Sequence, residues 1–76
     1  MRKIVSLFPV EDYQLLVKFE NGIEKTVDLK PYLQFPVFSP LKNIVIFNKV
    51  KNHGYFIEWQ GGEIDLSADT LWHDGK

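Results

Sequence analysis

Hydrophobic and polar residues alternate with a period of two along much of the chain, which predicts strands. Residues 2–8 read as a first strand, closed by Pro9. Residues 13–19 form a second, with Tyr13, Leu15, Val17 and Phe19 on one face and Gln14, Leu16 and Lys18 on the other. Residues 23–29 form a third, in which Ile23, Val27 and Leu29 share a parity. Directly opposed residues point to the same face of a sheet, so parity tests each connection. A two-residue Asn21-Gly22 loop sets Phe19 against Glu24. A three-residue Glu20-Asn21-Gly22 loop sets Phe19 against Ile23, Leu15 against Val27 and Lys18 against Glu24. The second register matches apolar with apolar and base with acid, and it needs Gly22 in the left-handed region. Its one poor pair is Lys25 opposite Val17.

The middle of the chain loses this period. Lys30-Pro31-Tyr32-Leu33 predicts one helical turn with proline near its start. Phe35-Pro36-Val37-Phe38 is expected to be extended, because a residue before proline avoids the helical region. Ser39-Pro40 is expected to cap another turn. Residues 43–47 carry three β-branched side chains, which favour a strand. Leu41, Ile44 and Phe47 nevertheless recur at helical spacing behind Asn43, a good cap, so a short helix is expected there.

Alternation returns as a meander: strands over residues 48–51, 55–59 and 63–66, turning at His53-Gly54 and Gly61-Gly62. Two-residue loops set Val50 opposite Ile57, Trp59 opposite Ile64 and Ile57 opposite Leu66. Ser67 then caps a short C-terminal helix carrying Leu71 and Trp72. The expected fold is α+β: antiparallel hairpins and a meander with short helices, in a single domain over residues 1–76. A chain of 76 residues buries a small core, so it gains more than a large domain does from a partner that covers apolar surface.

The order of short motifs supports a family resemblance. The motifs are Phe19-Glu20-Asn21-Gly22, Val27-Asp28-Leu29, Tyr32-Leu33, Val37-Phe38, Pro40-Leu41-Lys42-Asn43, then Gly62-Glu63-Ile64-Asp65-Leu66-Ser67 and Thr70-Leu71-Trp72. In this order they resemble the small bacterial family of domain of unknown function 2442 (DUF2442), over nearly the whole chain. The sequence departs from that pattern at Gln60-Gly61, where a proline-containing turn is common, and at Trp72, where tyrosine is common. The resemblance implies no particular chemistry. It implies short proteins, some with an added helix-turn-helix and some encoded beside another small protein, as in toxin–antitoxin pairs. The chain read here, ending at Lys76, is expected to lack the helix-turn-helix.

Charge and composition narrow the function classes. Nine basic and ten acidic residues give a net charge of −1 without the basic surplus of a nucleic-acid binder. No apolar run approaches the ~20 residues of a membrane span, and the start of the chain lacks the small-residue cleavage site of a signal peptide. A cytoplasmic protein is expected, and the absence of cysteine fits a reducing compartment. His53 reads as a turn residue and His73 as a helix-end residue, neither at metal-ligand spacing. Ser39 and Ser67 read as caps, and no phosphate-cradling loop is present. No catalytic, cofactor or metal residues are expected. Glu58 and Asp65 fall opposite each other, with Lys49 beyond Glu58, and this charged row reads as structural. Leu16 and Phe56 have the parity opposite to Leu15, Val17, Ile57 and Trp59. Apolar groups on that second face need covering by a helix, a second chain or a partner. The expected function is a non-enzymatic protein-interaction module, binding another protein or itself, without direct nucleic-acid or membrane contact. The alternatives are a nucleic-acid-associated regulator acting through a partner, or an accessory subunit of an enzyme.

Overall fold

The computed structural model describes residues 2–76, so Met1 of the predicted domain lies outside the described residues. Two three-stranded antiparallel sheets enclose one core. The first contains β1 (Ile4–Val10), β2 (Gln14–Phe19) and β3 (Glu24–Asp28). Two 3-10 segments, Lys30–Gln34 and Pro36–Lys42, lead to α1 (Ile44–Phe47). The second sheet contains β4 (Lys51–Asn52), β5 (Phe56–Trp59) and β6 (Ile64–Ser67), and α2 (Ala68–Asp74) follows. No helix of the described residues is long and apolar enough to cross a membrane.

The predicted register of the first sheet is the observed one. Leu15 faces Val27 and Lys18 faces Glu24. The three-residue loop is closed by Gly22 N–H donating to Phe19 C=O and Phe19 N–H donating to Ile23 C=O, both at 2.9 Å. Gly22 has φ +88°, the left-handed conformation that this turn requires. Lys25 resolves its poor pairing with Val17 by reaching outward: its Nζ donates to Trp72 C=O at 2.7 Å and lies 4.0 Å from the Trp72 ring centroid.

Pro9 does not close β1 but lies inside it, opposite Leu15. The reason is the direction of its missing N–H. Hydrogen bonds from Phe19 to Ile23 and from Leu29 to Tyr13 turn the odd-numbered groups of β2 toward β3. The even-numbered groups therefore face β1, at Ser6, Phe8 and Val10. Leu7 and Pro9 point their backbone away from β2, where a proline removes no ladder bond.

Further expectations are corrected. Phe35 is extended, but the residues after it form a 3-10 segment containing Pro40. Ser39 is no N-cap there; its hydroxyl donates to Pro36 C=O at 2.9 Å. β4 begins at Lys51 and not at Asn48, because Asn48 and Lys49 still bond back into α1. The turn after it is Gly54-Tyr55, with His53 N–H donating to Phe56 C=O and the Asn52 side chain accepting from Gly54 N–H. That moves the register by two residues, so Asn52 and not Val50 faces Ile57. The other predicted pairs, Trp59 with Ile64 and Ile57 with Leu66, are observed, but a 3-10 turn over Gln60–Gly62 joins their strands in place of a two-residue loop.

Both short helices are capped as the sequence predicts. Asn43 accepts from Val45 N–H, and Ser67 accepts from Thr70 N–H. α1 delivers Phe47 to the core, where its C=O accepts from the buried Trp59 indole N–H at 3.0 Å. The sheets meet where Ile4 N–H donates to Gly54 C=O and the Asn52 amide donates to Ile4 C=O. On the opposite flank the chain end closes the fold: Thr26 and Lys76 exchange two backbone bonds of 3.1 and 3.0 Å. α2 buries Leu71, and its Trp72 meets Phe19 edge-on at 5.0 Å, with the Arg2 guanidinium 3.7 Å from its ring centroid.

Candidate functional site

The outer face of the first sheet follows from register. Its rows across β1, β2 and β3 are Ser6-Lys18-Glu24, Phe8-Leu16-Thr26 and Val10-Gln14-Asp28. Leu16 is half-buried beside Phe8, which is 58% exposed, and Val10 continues the apolar group along β1. α2 buries Leu71 in the core and meets the inner-face Phe19 through Trp72. The segment from Phe35 to Phe47 sends Leu41 and Phe47 into the core as well, and leaves Phe35, Val37, Ile44 and Val45 exposed. Val10 lies beyond the strand that the sequence predicts to close at Pro9, whereas Phe8 lies within it and is set beside Leu16 by the β1–β2 register, which parity within β2 and β3 does not give. Extending the parity of Leu16 across the β1–β2 turn would have found Phe8.

That turn is strained. Asp12 and Tyr13, neither a glycine, have φ of +63° and +58°. Lys30 Nζ holds Asp12 by its C=O (2.9 Å) and its carboxylate (2.7 Å). Tyr13 is held by its hydroxyl, which donates to Lys42 C=O, and by an edge-on contact with Phe47. These anchors over-determine the turn, as such a conformation requires. Beside it opens a cleft of about 430 Å³ lined by Pro9, Val10, Glu11, Asp12, Ile44 and Asn48. Lys30 also pairs with Asp28 at 3.1 Å. The Lys30 backbone N–H, and then its ammonium, hold the Asp28 carboxyl below its ordinary range; Asp12 holds Lys30 above its own.

The outer face of the second sheet is of another kind. The predicted charged row is corrected in one member: Lys51, not Lys49, stands opposite Glu58, with Asp65 on the other side. Phe56 is 42% exposed and stacks on His53, with centroids 4.8 Å apart. Glu58 is only 6% exposed, and its Oε1 lies 3.3 Å from His53 Nε2 while Oε2 meets no hydrogen-bond partner. Leu16 and Phe56 thus lie on different sheets and are not brought together.

A second cleft, of about 410 Å³, is lined by Asp28, Pro31, Tyr32, Phe35, Asp74 and Lys76. The Tyr32 hydroxyl donates to Asp74 there. Burial first, and then Asp74, push its pKa up to about 12, so it is a donor and not a base at neutral pH. Among the described residues no three His, Asp or Glu side chains gather to hold a metal ion.

A model of the family described as "Protein of unknown function (DUF2442)" matches residues 4–76, essentially the whole chain. No curated protein and no solved structure matches it.

Proposed function

The chain belongs to the DUF2442 family, and we propose that it works as a small non-enzymatic protein-interaction module, one half of a bacterial two-protein system. The observation that carries this reading is the outer face of the first sheet. Phe8 is more than half exposed there, next to Leu16 and in line with Val10, in a domain too small to waste apolar area. Covering such a group stabilises the complex by roughly 25 cal/mol per Å² of apolar surface removed from water, less the cost of association. Tyr32 keeps its proton and Glu58 is enclosed against His53, so neither of these two groups is itself a free base at neutral pH.

The test compares the wild type with the double variant Phe8→Ser, Leu16→Ser. Each is used as bait in lysate of the native cell and sedimented over a range of concentrations. The wild type is expected to capture one protein or to self-associate. The double variant is expected to do neither while keeping its melting temperature within a few degrees. Equal capture by both, or a wild-type monomer that captures nothing, contradicts the reading.

A further inference from the structure

We infer that the partner lays an amphipathic helix, basic at one end, on the outer face of the first sheet; this deepens the interaction reading and rests on it. Strand addition is poorly served by this sheet. Its β1 edge offers the N–H and C=O of Leu7, but Pro9 supplies only a C=O. Its β3 edge is occupied at Thr26, whose N–H and C=O are both bonded to Lys76. The face therefore receives the partner.

The dimensions of that face fit one helix. Three strands about 4.8 Å apart make a strip roughly 10 Å wide, which matches the diameter of a helix. Phe8 and Val10 lie two residues, or about 7 Å, apart along β1, against about 6 Å between positions i and i+4 of a helix. Beyond Val10 the surface steps across the 430 Å³ cleft to the exposed Ile44. A second copy of the same face fits less well. A two-fold axis along the strands sets Lys18 over Lys18, and one across the strands sets Glu24 over Asp28.

Charge sets the direction. Glu11 and Asp12 line the cleft at the β1–β2 turn end of the face, while Lys30 is shared between Asp12 and Asp28 and Lys76 also acts on Asp28, so the uncompensated charge at this end is that of Glu11. Glu11 has no ion-pair partner among the described residues. The end of the helix that meets this turn is accordingly basic, and its apolar stripe runs over Val10, Phe8 and Leu16.

The probes are two synthetic helices of roughly 14 residues, one of leucine and lysine and one of leucine and glutamate in the same apolar pattern. Each is titrated into ¹⁵N-labelled full-length protein. The lysine helix is expected to move the amides of Phe8, Val10, Glu11, Leu16 and Ile44, and the glutamate helix is not. Glu11→Lys is expected to weaken the lysine helix roughly tenfold. Glu63→Lys makes the same charge change in the Gly61-Gly62 turn and is expected to change affinity less than about twofold. Equal binding of both helices, or equal loss in both variants, overturns the charge assignment. If neither helix moves these amides although Phe8→Ser, Leu16→Ser abolishes partner capture, the helix is wrong and the interaction reading stands. If that double variant also captures normally, both fall. Dimerisation of the wild type that Phe8→Ser abolishes identifies a second copy as the occupant and overturns the helix.

Discussion

The two sheets enclose the same core yet differ on their outer faces. The first has strands of five to seven residues and carries apolar side chains on both faces, with Phe8 and Leu16 outward. The second has strands of two to four residues, and its outer face is built around a single enclosed acid, Glu58. In the first sheet the surplus is apolar and open, which points outside the molecule. In the second the apolar residue of that parity, Phe56, is exposed but stacks on His53, which also meets the enclosed Glu58. Unpaired parity in a strand thus has two physical meanings, and the contacts of the outward ring tell them apart.

The comparison can be broken most forcefully with paired truncations. Trp59→Ala empties the shared core and gives up the indole bond to Phe47, and is expected to cost about 3–5 kcal/mol. Phe8→Ala on the open face is expected to cost less than about 0.5 kcal/mol. Denaturant unfolding of both variants checks this, and a large loss at Phe8 would mean that its ring is packed by the chain itself.

The turns offer a finer test. Gly22→Ala meets no steric obstacle, since nothing lies within 4 Å of the added Cβ, but φ is +88°. Strain alone is expected to cost about 1 kcal/mol. Glu58→Gln removes a charge from an enclosed site at the expense of one contact to His53. The enclosed amide then lacks a partner at the position of Oε2, and a loss of about 1–3 kcal/mol is expected. An unchanged stability would show that the contact with His53 does not hold the second sheet together.

Parity was sufficient to read the first sheet, because its strands are long enough that one slipped residue would expose Leu15, Val17 and Phe19 together. It was insufficient at β4, where two paired residues allow a shift of two that preserves every face. Asn52, whose side chain accepts from Gly54 N–H, settles the turn, and that bond is invisible to periodicity. On the outer face of the first sheet Leu16 is legible and Val10 is not, because the effect of Pro9 depends on which way its missing N–H points.

One further effect is confined to alkaline pH and lies away from both outer faces, where Tyr32 links the first 3-10 segment to α2 through Asp74. Its folded pKa of about 12 stands above the ordinary 10.0. The stability it contributes is complete below pH 10 and is lost as pH rises toward 12. Tyr32→Phe is expected to flatten that part of the stability profile, as read by urea midpoints over this range. An unchanged slope would remove Tyr32 as its source.

The claim that the two outer faces have different purposes is tested most directly by placing a photo-crosslinking phenylalanine analogue at position 8 in one variant and at position 56 in another. Both positions hold an exposed phenylalanine, so the folds are matched. Irradiation in the native cell is expected to give a discrete protein adduct from position 8 and none from position 56. Equal adducts from both, or an adduct from position 56 alone, would contradict the assignment of the first sheet as the binding face.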